Sequence, residues 1–146
     1  MVTPLHRLVY ASTFNLGRVD HAPSALRRIL SSSKRNNAES GITGFLIFDG
    51  DTFLQVLEGP KEDVVATFAR IEADDRHRSI DILGWQPADD RSFRQWAMEG
   101  YLRRAEQDGV FRSHGIEGKV RRQGLKGEVV LSLARELAQL KFAPEE

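Results

Sequence analysis

Residues 41–60 have the sequence GITGFLIFDGDTFLQVLEGP, and this stretch decides the fold. Two runs rich in β-branched and aromatic residues flank the Asp49-Gly50 pair, which is a strong signal for a tight hairpin turn. Pro60 then suits the first turn of a helix, and the two acidic residues after Lys61 favour a helix N-terminus. The stretch therefore predicts two antiparallel strands that lead directly into a helix.

The segments on either side extend this pattern to β-α-β-β-α-β-β. Further strands are predicted at 5–12, 79–86 and 96–102, and a first helix begins at Pro23. This order predicts an α+β, ferredoxin-like fold, with an antiparallel or mixed sheet and both helices on one face. We expect one domain over residues 1–103.

The composition changes after Arg104. Five of the 12 glycines lie between Gly109 and Gly127, which predicts a loop-rich segment. Apolar residues at helical spacing follow and predict an amphipathic C-terminal helix: Val129, Val130, Leu133, Leu137 and Leu140. We expect residues 104–146 to form an extension that packs on the sheet or mediates interactions.

Bulk properties exclude several classes of protein. The 146 residues carry 21 basic and 21 acidic side chains, so no net charge favours nucleic acid or an anionic membrane. The absence of cysteine excludes disulfides, thiolate chemistry and cysteine metal sites. The first ten residues lack the pattern of a signal peptide, and no apolar run has membrane-spanning length. We expect a cytoplasmic protein.

Several polar residues fall where the pattern predicts an apolar core. Gln55 shares a strand face with Phe53 and Leu57, and the opposite face is apolar too, so its amide is buried on either side and needs a partner. Tyr10 lies on a face of the first strand, and the apolar stripe of the first helix ends in Asn36 and Asn37. Each residue alone has a structural explanation as packing or as a helix end. Together they predict a polar pocket that suits a flat heterocycle.

Six short blocks lie in order between about residue 5 and residue 102: Leu8–Ser12, Arg35–Asn37, Gly41–Gly44, Phe53–Pro60, Asp74–His77 and Arg91–Met98. Together these blocks resemble the BLUF family, flavin-binding sensors of blue light. The resemblance implies a non-covalently bound flavin, FAD with FMN as the alternative, between the two helices. Asn37 and Asn36 would bond the carbonyl edges of the ring, and Arg76 and His77 would lie near the ribityl chain and phosphates.

The resemblance also implies a photoactive switch instead of a catalytic site. Gln55 would sit between the flavin and Tyr10, and Trp96 and Met98 form the family's alternating pair on the fifth strand. A glutamine amide has a donor end and an acceptor end, so rotation or tautomerisation changes the hydrogen bond that it offers to the ring. We expect a small red shift in absorption and amplification of the switch by repacking of Trp96 and Met98.

Two other functions remain alternatives at this point. Small ferredoxin-like domains include acyl-phosphate hydrolases, but no glycine-rich phosphate loop or carboxylate pair is evident, and Arg27, Arg28 and Arg35 suit a solvated helix surface. A non-photoactive binding module is the other. The four histidines lack metal-ligand spacing, so no metal site is expected. The basic residues of the glycine-rich segment, Arg122 among them, are interpreted as a solvated loop and not as a nucleic-acid site.

We therefore expect a sensor that is not an enzyme and that acts on a separate effector protein. The family suggests a cyclic-nucleotide enzyme or a regulatory protein as that effector. The C-terminal apolar stripe is expected to cover the sheet or to form a homodimer or higher homo-oligomer. No nucleic-acid or membrane partner is expected.

Overall fold

A computed structural model describes residues 4–14, 22–50, 52–74, 77–94 and 98–141. The elements in chain order are β1 (Leu5–Phe14), α1 (Ala22–Ser40), β2 (Thr43–Asp49), β3 (Thr52–Pro60), α2 (Lys61–Ala73), β4 (His77–Ala88), β5 (Glu99–Leu102), a 3₁₀ turn (Ala105–Gln107), α3 (Asp108–Ser113) and α4 (Gly127–Lys141). The predicted α+β, ferredoxin-like fold is confirmed. Within the described residues no helix is both long enough and apolar enough to cross a membrane.

The five strands form one mixed sheet in the order β4-β1-β3-β2-β5. The four strands from β4 to β2 are antiparallel, and β5 joins the edge parallel to β2. The predicted hairpin turns at Gly50, whose φ of 64° lies in the left-handed region that favours glycine. The β1–β3 and β2–β3 ladders keep one register throughout, whereas the β1–β4 ladder shifts between Val9 and Tyr10 and again between Ala11 and Thr13.

Both faces of the sheet are buried. One face, here called the pocket face, packs against α1 and α2 and includes Leu8, Tyr10, Leu46, Phe48, Phe53, Leu57 and Met98. The opposite face, here called the α4 face, includes Val9, Ala11, Phe45, Ile47, Leu54 and Val56, and packs against α3 and α4. The predicted amphipathic helix exists as α4, and Val130, Leu133 and Leu137 from its apolar stripe are buried against the α4 face.

Strands β1 and β4 extend about two residues beyond their predicted ends, and two other predicted segments differ more clearly from the structure. The fifth strand begins at Glu99, not at Trp96, because its parallel pairing with β2 starts where Phe45 lies opposite Glu99. Met98 therefore precedes the strand, and Trp96 lies outside the described residues. The segment predicted as loop contains α3, which is too short for its periodicity to be detected and is held by the buried Phe111.

Arg122 also differs from its predicted setting in a solvated loop. Its side chain is 17% exposed, and its guanidinium donates to the hydroxyl of Thr13 and the backbone carbonyls of Ala11 and Ser79. It also pairs with Asp81 at 2.6 Å. The segment before α4 is thus bound to β1 and β4.

Candidate functional site

A pocket with both polar and apolar walls lies between α1, α2 and the pocket face. Leucine, isoleucine and phenylalanine side chains supply its apolar walls, while amide, hydroxyl, guanidinium and carboxylate groups supply its polar walls. The lining residues among those described are Tyr10, Ile29, Ser32, Ser33, Asn37, Leu46, Phe53, Gln55, Leu57, Thr67, Arg70, Ile71 and Asp74. The predicted site residues Tyr10, Asn37 and Gln55 therefore share one pocket.

Strand register brings Tyr10 and Gln55 together. The two residues are direct partners across the β1–β3 ladder, so their side chains leave the sheet on the same face. The Tyr10 hydroxyl donates a hydrogen bond to the side-chain carbonyl oxygen of Gln55. Both side chains are buried, with exposed fractions of 1% for Tyr10 and 5% for Gln55.

Met98 completes this group from the segment before β5. The Gln55 amide nitrogen donates to the Met98 sulfur at 3.4 Å, and Met98 is fully buried. Gly44 on β2 makes room for it, since a Cβ atom there would lie 3.1 Å from the methionine methyl carbon and 2.0 Å from the carbonyl oxygen of Val56. Met98 therefore lies against Gln55.

The surroundings keep the Tyr10 phenol neutral. Burial raises the pKa of Tyr10 well above its ordinary value, because the charged phenolate would lose its hydration. The nearby Asp74 carboxylate raises the pKa further by repelling a second negative charge. The Tyr10 proton therefore stays on the phenol, where it can be donated to Gln55.

Asn37 is buried near the C-terminal end of α1, where its side chain faces the same pocket. Its backbone carbonyl accepts a hydrogen bond from the backbone of Ile42, which closes the end of the helix. His77 begins β4 opposite Phe14. The predicted Arg76 and Trp96, and the side chains of Asn36 and His77, lie outside the described part of the chain.

Sequence reasoning missed the contribution of α2. Thr67 and Arg70 line the pocket and are joined by a hydrogen bond of 3.2 Å, and Asp74 follows at the helix C-terminus. Their spacing of three and four residues places them on one side of the helix. That spacing was a usable signal, although Thr67 and Arg70 also fit a solvated surface. Ser32 on α1 was missed in the same way.

The donors and acceptors of this pocket fit a flavin. An isoalloxazine ring has two flat apolar faces and an edge of alternating carbonyl and nitrogen groups. The pocket offers apolar walls from Ile29, Leu46 and Leu57, together with side-chain amides from Asn37 and Gln55. This combination matches the apolar pocket with a few convergent polar groups that holds small ligands.

Comparison with known proteins supports the same assignment. A profile of the BLUF family, described as "Sensors of blue-light using FAD", matches residues 5–99. The blue light- and temperature-regulated antirepressor BluF of Escherichia coli is 36% identical over 110 residues, which are 75% of this chain and 27% of that protein. The photoactivated adenylate cyclase subunit beta of Euglena gracilis is 34% identical over 97 residues, 66% of this chain and 11% of that protein.

These two relatives are much longer than the matched region, since the chain spans about a quarter of one and about a tenth of the other. A solved structure of similar length also matches. The photo-activated state of BlsA superimposes with a TM-score of 0.81 at 30% identity and covers 97% of this chain and 98% of BlsA. The matched region is described as a sensor, which agrees with the prediction of a sensor and not an enzyme. The chain is a blue-light sensor of the kind that uses FAD, and it belongs to the BLUF family.

Proposed function

We propose that this chain reports blue light by reversing the orientation of the Gln55 side chain, and that it passes the signal to a separate effector protein. Tyr10, Asn36, Asn37, Gln55, Arg76 and His77 would hold the flavin, with Tyr10, Gln55, Trp96 and Met98 as the switch. The proposal includes residues 1–103 as the sensory domain and the cytoplasm as its location. One observation carries it: both ends of a buried amide are engaged by different partners.

The Gln55 carbonyl accepts from Tyr10, and the Gln55 amide nitrogen donates to Met98. Reversal of the amide would turn the nitrogen toward Tyr10 and the oxygen toward the Met98 sulfur. Sulfur is only a weak acceptor and carries no proton, so the reversed amide has no hydrogen bond to make with Met98. The orientation of Gln55 is thereby coupled to the position of Met98.

A bound flavin supplies the excited state that blue light creates. The residues of the chain provide the rest of the response. Tyr10 holds its proton on the phenol oxygen, the atom that donates the hydrogen bond to Gln55. Burial raises the pKa of Tyr10, so its phenol stays protonated well beyond the physiological pH range.

The reversal alone is too weak to operate a switch. A neutral hydrogen bond contributes about 0.5–1.5 kcal/mol net, whereas moving an equilibrium from 1:99 to 99:1 takes about 5.5 kcal/mol. Repacking of Met98 is a candidate for the difference, because Met98 is fully buried beside Gly44 and leads straight into β5. We propose β5 as the element that carries the change to residues 104–146.

The nature of the effector is proposed from the relatives. One is a photoactivated adenylate cyclase subunit and another is an antirepressor, so an enzyme of cyclic-nucleotide metabolism or a regulatory protein is the expected partner class. A homodimer or higher homo-oligomer is part of the proposal, with residues 104–146 as its interaction region.

An absorption spectrum taken before and after blue light tests the proposed switch. We expect a flavin spectrum that shifts slightly and reversibly to the red in the wild-type protein. Tyr10→Phe removes the hydroxyl that bonds Gln55, and Gln55→Leu removes the amide, so both variants should bind flavin and lose the shift. Tyr101→Phe is the matched control, because it changes the only other tyrosine and leaves the pocket unchanged.

A persistent red shift in Gln55→Leu would contradict the amide switch. A protein that is colourless and takes up no added flavin would contradict the whole proposal. A shift that is lost in Tyr101→Phe as well would show that the effect of Tyr10→Phe is not specific to the pocket.

A further inference from the structure

A buried ion pair joins β1 and β3. Its carboxylate belongs to Glu58, three residues after Gln55 on β3. The Glu58 carboxylate is 1% exposed, and its oxygen Oε2 lies 2.7 Å from the guanidinium of Arg7. Arg7 is the direct partner of Glu58 across the β1–β3 ladder and is itself buried. A carboxylate out of contact with water needs more than one donor to offset its lost hydration.

The other donors come from the segment that follows β4. The backbone N–H of Ser92 donates to both carboxylate oxygens of Glu58, at 2.8 Å and 2.9 Å. The backbone N–H of Phe93 donates to Oε1 at 2.9 Å. Arg7 binds the same segment, through the carbonyl of Asp90 at 3.0 Å and the hydroxyl of Ser92 at 3.2 Å. One carboxylate and its arginine therefore fix residues 90–93 to the middle of the sheet.

Arg91 fixes the same segment to the loop between α1 and β2. Its guanidinium donates to the hydroxyl of Thr43 and to the carbonyl of Gly41, each at 2.8 Å, and to the Glu58 carbonyl at 3.1 Å. This loop directly follows the end of α1 that carries Asn37. The segment held by Glu58 is therefore also joined to the loop that follows the Asn37 end of α1.

The α4 face secures the next residue. Phe93 is 1% exposed, and its ring stacks on Phe45 with the ring centres 5.6 Å apart. The hydroxyl of Ser92 also accepts a hydrogen bond of 2.9 Å from Arg135 on α4. Met98 follows only five positions after Phe93, on the opposite face of the sheet, where it meets Gln55.

We infer that Glu58 is a positioning residue for the switch: its carboxylate anchors residues 92 and 93 so that Met98 stays against Gln55. The inference deepens the proposed function and rests on it for the importance of Met98. Gln55 and Glu58 lie on opposite faces of one strand, so Glu58 acts without touching the flavin pocket.

Glu58→Gln tests this inference. The amide keeps the shape and one acceptor oxygen, but it replaces the other oxygen with a donor that faces the existing donors and leaves Arg7 without its counter-ion. We expect Met98 to become accessible, so dilute peroxide in the dark should oxidise its sulfur roughly tenfold faster, as measured by mass spectrometry. In the light arm, we expect the rate of return to the dark spectrum to change several-fold.

The controls separate positioning from lost stability. Leu133→Ala removes buried volume under α4 but no hydrogen bond, so it is the control for lost stability. The oxidation rate of each variant is measured at a temperature that lies the same number of degrees below its own unfolding temperature. Glu58→Asp keeps the charge and shortens the side chain, and it replaces Glu58→Gln if that variant does not fold. It should expose Met98 to a smaller degree.

Met98 oxidation that matches the wild type or rises equally in Leu133→Ala would overturn the inference. So would an unchanged return rate in a Glu58→Gln protein whose Met98 is exposed. The oxidation arm needs no light response. A wild-type protein without a red shift would therefore refute the proposed switch. The peroxide experiment would still show whether Glu58 anchors Met98.

Discussion

At the scale of single residues, the pocket face combines an apolar strand with one amide that has both ends bonded. An unpaired buried amide costs about 1–3 kcal/mol, so Gln55 is tolerated there only because Tyr10 and Met98 satisfy it. The same burial controls Tyr10. Its phenol cannot ionise without placing a charge in an apolar site close to the Asp74 carboxylate.

This setting predicts how Tyr10 responds to high pH. Its folded pKa is raised above the unfolded value of about 10, so the folded state holds the proton more tightly. The stabilisation is therefore complete below about pH 10 and is lost as the pH rises above that value. In a Tyr101→Phe protein, carbon-labelled tyrosine NMR should show Tyr10 ionising only together with unfolding. Ionisation near pH 10 with native circular dichroism would contradict this.

Residue chemistry also determines how much of the site could be predicted. Gln55 was recognisable because its neighbours on both faces of the predicted strand are apolar. Tyr10 was recognisable because side chains alternate along a strand, which determines the face on which it lies. Glu58 could not be singled out from the sequence, because two of its three partners are backbone N–H groups that lie 34 and 35 positions away and have no sequence signature. The roles of Thr67 and Arg70 depended on which side of α2 faces the pocket, and both residue types suit either side.

At the scale of elements, the end of β5 is joined to residues 108–118 of the C-terminal extension through Arg103. Its guanidinium pairs with Asp49 at 3.0 Å and Asp108 at 3.2 Å, donates to the carbonyl of Gly118, and lies 4.0 Å from the centre of the Phe111 ring. The extent of β5 could not be predicted, because a strand of four residues depends on its pairing with β2 and not on its own pattern.

Arg103→Met tests whether this joint holds the extension. It preserves much of the packing on Phe111 but removes the charged partner of Asp49, whose carboxylate keeps the hydrogen bond from the backbone N–H of Val120. We expect amide hydrogens in residues 108–120 to exchange at least tenfold faster, the factor for about 1.4 kcal/mol of lost local stability. Hydrogen exchange read by mass spectrometry measures this. The exchange rate in Arg103→Lys should lie between those of the wild type and Arg103→Met, since an ammonium lacks the planar fork that binds two carboxylates.

A uniform increase in exchange over the whole chain would argue against a local joint. So would unchanged exchange in 108–120. In either case β5 would have to be connected to the extension by other contacts.

At the scale of the molecule, the sheet is a central layer with a sensory side and an α4 side. The proposed flavin site lies on the pocket face, whereas Val130, Leu133 and Leu137 of α4 are buried on the other face. The amphipathic pattern predicted α4 and most of its apolar stripe correctly, but Leu140 at the end of that stripe is 51% exposed. It could not determine which tertiary contacts the intervening segment makes, such as those of Arg122 with β1 and β4.

This layering predicts that the two faces can be perturbed separately. Leu133 is fully buried, and Leu133→Ala should cost about 2–5 kcal/mol and lower the melting temperature by roughly 5–20 °C. The flavin spectrum of the folded protein should remain that of the wild type. Calorimetry and absorption measure the two effects, and Ser132→Ala, at an exposed position, should change neither. Loss of flavin from folded Leu133→Ala would contradict the separation.

The two register shifts in the β1–β4 ladder lie on either side of Tyr10. We expect them to make the sheet transmit a movement of Tyr10 better in one direction than in the other. A regular ladder passes a small strand displacement to its neighbour, whereas an irregular one absorbs it in altered local geometry. From Tyr10, the β1–β3 and β3–β2 ladders keep a regular register, whereas the β1–β4 ladder is irregular on both sides of Tyr10. A movement that starts at Tyr10 should therefore travel toward β5 and fade toward β4, so an effector that reads the light state would find it at only one edge of the sheet.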